Sequence, residues 1–256
     1  MKLRALDLPD EDFDNRQIGN VIHNAFHRFC EADETPSADR LSAMVLDAVA
    51  SSAMPIYEQI ARGPRLEASA HWFVEWHKAR LAEGKPVVLE KEGKAFLSDA
   101  GQGFTITARA DRIDQLNDEA RSFAVYDYKT GKPKTEKQIE KFNPQITLTG
   151  LIVEQGGFEN IDAASVSRLA FIRALNRSNE STDFPNNDDV EISDIDAGKA
   201  IDAAHAALKE LVIQFDDPAT PYLSQPRPQF IDSFGAYDHL ARRVEWAGES
   251  GESNDE

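Results

Sequence analysis

The chain has 256 residues, 41% of them hydrophobic, enough to bury one sizeable core. Its formal net charge of −17 speaks against a surface that is basic throughout and confines any contact with phosphate backbones to local stretches of Lys and Arg. The single cysteine, Cys30, excludes an internal disulfide and any cysteine-clustered zinc or iron–sulfur site built from this chain alone, and reads as a buried, inert thiol.

The charged N-terminal sequence lacks the apolar run of a signal peptide, and no later stretch approaches the roughly 20 apolar residues of a membrane span. The expectation is a cytoplasmic protein without membrane contact. Ile18, Val21, Ile22, Ala25, Phe26 and Phe29 recur at helical spacing, as do Leu66, Ala70, Phe73, Val74, Trp76 and Leu81. Between them the pattern predicts shorter helices over 41–53 and 56–60, broken by Pro36, Pro55 and the Gly63-Pro64 pair. After Gly84 the character changes. Residues 86–90, 104–113 and 122–128 are short, partly alternating, β-branched runs separated by Gly, Asp and Asn, the signature of a three-strand meander. A helix over 143–154, a buried strand over 168–175 and an amphipathic helix over 201–215 follow, the last with Ile201, Ala204, Leu208, Leu211 and Phe215 on one side. Much of the acidic surplus falls in 188–196 and 249–256, where a solvated or disordered face accounts for it.

The sharpest feature is Ala110-Asp111-Arg112-Ile113-Asp114, followed after a hairpin-length gap by Val125-Tyr126-Asp127-Tyr128-Lys129-Thr130-Gly131. If both are strands they can pair and bring Asp111 near Asp127, and Asp127 and Lys129, two apart, share a face. Two carboxylates can hold Mg²⁺ or Mn²⁺ through hard oxygen ligands, while a nearby Lys orients a water and stabilises charge on a phosphate. Phosphodiester hydrolysis is the chemistry this combination suggests. On spacing alone, an ordinary charge pair between Asp127 and Lys129, with Asp111 and Asp114 as surface residues flanking turns, fits equally well. The stretch from Asp127 to Lys141 is locally basic, with Lys129, Lys132, Lys134, Lys137 and Lys141 against three acidic residues. The chain carries no Gly-x-x-x-x-Gly-Lys-Ser/Thr loop, so an autonomous ATPase or helicase is not expected.

These residues resemble the PD-(D/E)XK nucleases, and within them the RecB/AddB branch that processes broken DNA ends. Gly19 to His23 looks like that branch's Gly-x-x-x-His helix, Asp111 like its strand aspartate, Asp127 to Gly131 like its Asp-Tyr-Lys-Thr-Gly strand, and Pro144-Gln145 like its following helix start. Residues 72–76, 156–158, 221–230 and 237–242 extend the likeness toward the C-terminal nuclease region of alphaproteobacterial AddB. The resemblance implies an α/β fold with a restriction-endonuclease-like core, a central mixed sheet flanked by helices, with a helical N-terminal lead and a C-terminal helical extension. On this division residues 1–85 are the lead, 86–180 the nuclease core and 181–256 an acidic loop, amphipathic helix and extension, all in one elaborated domain. It implies a metal-dependent DNA exonuclease that acts on single-stranded ends beside an AddA-type helicase-nuclease subunit. Mg²⁺, with Mn²⁺ as substitute, would be the cofactor, and no iron–sulfur cluster is expected.

In the same resemblance His23, Asp111, Asp127 and the Tyr128 carbonyl would ligate the metal, and Lys129 would be the catalytic lysine. Gln145 would position the site or touch DNA. Thr130, Lys132 and Lys134 are candidates for DNA contact, and Glu90 is a further candidate acidic residue, although Glu92 competes for its register. Thr149 departs from the family pattern, standing where related nucleases often carry a Tyr. His27 reads as a surface or supporting group, and Trp72 and Trp76 read as packing residues. A catalytically silent scaffold of the same fold, or a free-standing nuclease of the CRISPR-associated type, are the alternatives.

Overall fold

A computed structural model describes residues 15–32, 35–130, 144–175 and 196–222. Residues 13–216 form one compact unit; of a second, Met1–Asp12 with Asp217–Glu256, the described part turns on Asp217, whose carboxylate accepts from Ala219 N–H at 2.9 Å. Lys132, Lys134, most of the acidic stretch at 188–196 and the sequence beyond 222 lie outside the described residues. Among the described residues no helix is long and apolar enough to cross a membrane.

Three helices lead: α1 Asn15–Glu31, α2 Ala38–Ala50 and α3 Ile56–Glu83. Of the apolar residues read as one face of α1, Ile18, Ile22, Ala25, Phe26 and Phe29 are buried, and Val21 is partly buried against them. Ser37 caps α2 by accepting from Arg40 N–H at 3.5 Å, which satisfies one of the otherwise unpaired amides of its first turn. The expected break at Gly63-Pro64 does not occur, and α3 runs through it. Pro64 and Ile60, whose carbonyl the missing N–H would have met, both lie on the exposed side of α3. Water can serve that carbonyl while Leu66, Ala70, Phe73 and Val74 keep the other side anchored.

The meander follows as β1 Gly84–Leu97, β2 Phe104–Leu116 and β3 Phe123–Lys129, then α4 Gln145–Glu154, β4 Val166–Arg173 and α5 Ala197–Asp216. The sheet order is β1-β2-β3-β4, antiparallel except for the β3–β4 pair, which is parallel with α4 between its strands. α1, α2 and α3 cover one face, where their apolar residues form a single core with Ala124, Tyr126, Tyr128, Ala170 and Ile172. α4 and α5 cover the other, against Val88, Ile113, Val125, Leu169 and Phe171. The mixed α/β architecture is as expected. The buried side of α5 is narrower than its sequence suggests, because Ile201 is buried and Leu208 and Val212 pack while Leu211 is exposed.

One buried ion pair ties β2 to the helical layer. Arg112, fully buried, donates through Nε and Nη2 to the two Asp114 oxygens at 2.6 Å each, and through Nη1 to His77 Nδ1 at 2.8 Å. Its guanidinium lies 5.0 Å from the Trp76 ring centroid. Burial and the Arg112 charge push His77 down to about 4, so it is a neutral acceptor. Asp114 is therefore no surface residue flanking a turn. Cys30 is half-buried rather than buried, its Sγ 4.0 Å from Arg112 Nη1, and its removal from water pushes the thiol up to about 11, as an inert thiol requires. Trp72 and Trp76 are also packing residues, stacked at 6.4 Å and each 8% exposed.

Removing one partner of a buried, bidentate pair leaves an uncompensated charge, so Asp114→Ala is expected to lose about 3–5 kcal/mol of stability by urea unfolding. The double replacement Arg112→Met, Asp114→Leu should lose less than Asp114→Ala alone. A loss under about 1 kcal/mol for Asp114→Ala would contradict the role given to the pair.

Candidate functional site

The site begins with a change of face in two paired strands. In β1 the residues on the α4 side are Val88 and then Ala95 and Leu97, and in β2 Ile106 and Ala110 and then Ile113. An even-to-odd change within a strand means that its strict alternation slips once. The slip falls at the same level in both strands, because Leu89 pairs with Arg112 and Lys91 with Ala110, leaving Glu90 opposite Asp111 between them. Glu90 has φ of 49°, a left-handed conformation that side chains other than Gly adopt at a cost. Of the two candidates, Glu90 lies beside His23 and Asp111, whereas Glu92 is exposed on the strand beyond the slip.

α1 brings the imidazole to the two carboxylates. His23 Nδ1 lies 3.6 Å from Glu90 Oε1 and 3.6 Å from Asp111 Oδ2. One turn earlier, Gly19 lies next to Thr130, just past the end of β3, where a β-carbon would meet Thr130 Oγ1 at 3.4 Å, an ordinary van der Waals contact. His23 also meets the Tyr128 ring edge-on at 5.7 Å.

β3 supplies the rest. Tyr128 N–H donates to Asp111 Oδ2 at 2.7 Å, so the Asp111 side chain continues the β2–β3 ladder beyond the Arg112–Tyr126 pair. Asp127 and Lys129 share a face, and Lys129 Nζ sits 2.5 Å from Asp127 Oδ2 and 5.6 Å from the Phe171 ring centroid. Arg109 Nε donates to Glu90 Oε2 at 3.0 Å from the rim. Glu90 Oε1 is buried and accepts no hydrogen bond.

The described residues brought together are thus His23, Glu90, Asp111, Asp127 and Lys129. Ligand atoms of His23, Glu90 and Asp111 all lie within 4.8 Å of one another, as one ion would require. Asp127 stands beside this trio, facing Lys129. Gln145 is exposed as the first residue of α4, its carbonyl accepting from Thr149 Oγ1 at 2.8 Å. Thr149 is buried on that helix. His27 Nε2 is 3.4 Å from Glu31 Oε2, one helical turn along α1.

Acidic groups so close titrate abnormally. Burial, and then the Asp127 charge, push Asp111 up to about 7. Burial likewise raises Asp127, although Lys129 opposes it. Burial works against protonated His23, but Glu90, Asp111 and Asp127 outweigh it and raise its pKa. Glu90 is held low by His23 and Arg109 against the effect of its burial. Without a metal, protons on His23 and Asp111 supply the positive charge that this concentration of carboxylates demands. Hard oxygen donors with one imidazole and a buried oxygen lacking a hydrogen bond fit a divalent cation such as Mg²⁺ or Mn²⁺.

Comparison with known proteins adds to this geometry. A family model of the PD-(D/E)XK nuclease superfamily matches residues 1–230. An uncharacterized protein of Rickettsia bellii is 26% identical over 163 residues, covering 62% of this chain and 19% of that protein. Uncharacterized proteins of Rickettsia typhi and Rickettsia conorii are 25% and 28% identical over 59% and 58% of the chain. The matched region again spans 19% of the length of each of these relatives.

Because Asp111 is raised above 3.8, the folded protein holds a proton through an interval in which the unfolded chain has lost it, and stability falls as pH rises toward about 7. Raised His23 acts in the same direction, its contribution fading as pH rises through its folded pKa. In chelator the melting temperature is therefore expected to fall between about pH 5 and pH 8, and to fall less in Asp111→Asn. Equal slopes in the two proteins would contradict the shared-proton cluster.

Proposed function

The chain belongs to the PD-(D/E)XK nuclease superfamily, and on that premise we propose that it is a Mg²⁺-dependent deoxyribonuclease, with Mn²⁺ as substitute, whose centre is His23, Glu90, Asp111, Asp127 and Lys129. The observation that carries this reading is the convergence of His23, Glu90 and Asp111 ligand atoms within 4.8 Å, one of them a buried carboxylate oxygen with no hydrogen bond. His23, Glu90 and Asp111 hold the ion, with Asp127 and the Tyr128 carbonyl completing its surroundings. A bound divalent ion supplies Lewis acidity toward a phosphate oxygen and lowers the pKa of a water.

The chain's own groups divide the remaining work. Lys129, fixed between Asp127 and the Phe171 ring, places a positive charge where a phosphate gains negative charge during cleavage. Asp127 orients that ammonium and helps hold the ion. The Tyr128 amide fixes Asp111 Oδ2, the oxygen that lies 3.6 Å from His23 Nδ1. Arg109 holds Glu90 Oε2 and leaves Oε1 facing His23. Gln145, at the start of the helix after β3, and Thr130, just past the end of β3, contact DNA, and the lysines Lys132 and Lys134 that follow Thr130 in sequence are further candidates for that contact.

The finer reading is an exonuclease module that shortens single-stranded ends during double-strand break processing, inside a longer AddAB-type helicase-nuclease and beside an AddA-type subunit. Its supports are the motif order from Gly19 to Gln145 and the relatives' length, several times the matched region. A catalytically silent scaffold fits less well, because a left-handed Glu90 and clustered carboxylates burden the fold without return unless the cluster binds something.

With Mg²⁺ the protein is expected to degrade linear or single-stranded DNA, and excess chelator to stop it. Asp127→Ala should reduce cleavage to background, while Lys129→Ala should lower the rate roughly 10²-fold or more and keep metal affinity by calorimetry. Glu90→Gln should weaken metal binding first. Undiminished digestion by Asp127→Ala and Lys129→Ala would exclude this site as the nuclease centre.

A further inference from the structure

The end of α1, the last turns of α3 and the outer strand β1 do not close on one another. Between Cys30 and Glu31 on α1, His77 and Leu81 on α3, and Leu89 and Lys91 on β1 they leave a cavity of about 430 Å³. Small-molecule sites occupy roughly 300 to 1,000 Å³, so the space suffices for an organic ligand. Leu89 and Lys91 flank Glu90 in the chain, which sets the cavity beside the acidic cluster. It is a separate space, because none of His23, Glu90, Asp111, Asp127 and Lys129 lines it.

One buried polar group opens on this cavity. His77 is 5% exposed, its ring stacked on Phe73 at 6.1 Å and met edge-on by Phe29 at 6.0 Å. Its Nδ1 accepts from Arg112 Nη1 at 2.8 Å, and a guanidinium only donates, so the ring proton sits on Nε2. Among the described residues no acceptor pairs with that Nε2–H, and the atom is not sealed within the core. A donor nine-tenths buried and without a partner is costly, and the cavity that His77 lines is where its partner must come from.

The other walls set the outline of that partner. Leu81 and Leu89 offer apolar surface, and Lys91 is an exposed cation with no ion-pair partner among the described residues. Glu31, the acidic residue of the wall, is taken up by His27 Nε2 at 3.4 Å. An inner donor, apolar sides and an outer cation select a molecule with an acceptor at one end, an apolar or aromatic body and a negative charge at the other.

We propose that this cavity binds a small amphipathic anion, whose acceptor oxygen takes the His77 Nε2–H, whose body packs on Leu81 and Leu89, and whose charge meets Lys91. The site stands independently of the nuclease reading. A nucleoside monophosphate and an aromatic carboxylate both carry this chemistry, and binding measurements distinguish them.

The test is NMR of the protein labelled with ¹⁵N-histidine, in chelator, titrated separately with thymidine 5′-monophosphate and with 4-acetylbenzoate. At least one of them should move the His77 Nε2 resonance saturably, and the same concentrations should slow alkylation of Cys30, in the cavity wall, by iodoacetamide. Binding of the nucleotide alone assigns the cavity to nucleotides, and binding of 4-acetylbenzoate assigns it to aromatic acids. Lys91→Gln should weaken binding roughly two- to fivefold, as loss of an exposed ion pair does. Leu81→Trp, a change at a helix position 39% exposed, fills the cavity and should abolish the saturable shift while the melting temperature holds. The proposal is overturned if neither ligand moves His77 Nε2, if the nucleotide moves only the His23 resonances of the acidic cluster, or if Leu81→Trp or Lys91→Gln binds as tightly as the parent.

Discussion

The antiparallel pair β1 and β2 changes face midway, and the positions of Glu90 and Asp111 follow from that change. A regular ladder would put Glu90 and Asp111 among apolar neighbours on the α4 side. The slip, with Glu90 in a left-handed conformation, turns the pair toward the rim that His23 reaches from α1. Such an irregularity persists only where its surroundings over-determine it. The residue after Asp111 provides the anchor: Arg112 is locked to Asp114, His77 and the Trp76 ring inside the helical layer. With Arg112 fixed inward, the chain has little freedom at Asp111, whose remaining choice is settled by the Tyr128 amide. The buried ion pair and the acidic cluster are thus two sides of one strand, the first holding the second in place.

Much of this was legible in the sequence. The face of α1, the meander and the shared side of Asp127 and Lys129 follow from periods of 3.6 and 2, which survive folding wherever the backbone is regular. Glu90 was legible only as one of two candidates, because a period-2 reading cannot see a residue that breaks the period. Asp114 was misleading for a different reason: a charge in a strand reads as a surface group, and its burial depends on Arg112, two residues away, being buried with it. The pairing of Arg112 with His77 joins residues 35 apart in sequence and leaves no local signal. Pro64 shows that a helix breaker fails to break where the unsatisfied carbonyl faces water and the opposite side is anchored.

Charge links the fold to the chemistry. The chain is strongly acidic overall, and at the cluster burial and the neighbouring carboxylates push Asp111 up to about 7, while Glu90, Asp111 and Asp127 raise His23. A divalent cation that binds there must displace the protons these two groups hold, and metal binding and proton release are then one equilibrium. Lys129, paired with Asp127 and set against an aromatic ring, stays at the rim as the fixed positive charge. Such a centre is poised for a ligand that carries negative charge to the metal, as a phosphodiester does.

The central claim is that His23, Glu90 and Asp111 converge on one metal ion beside Asp127 and Lys129. Anomalous diffraction from crystals soaked in Mn²⁺ tests it most directly. The account predicts one strong peak with His23 Nδ1, Glu90 Oε1 and an Asp111 oxygen at ligand distances of roughly 2.0 to 2.3 Å. A peak elsewhere on the molecule, or a fully soaked crystal with Glu90 still bound only to His23 and Arg109, would contradict it.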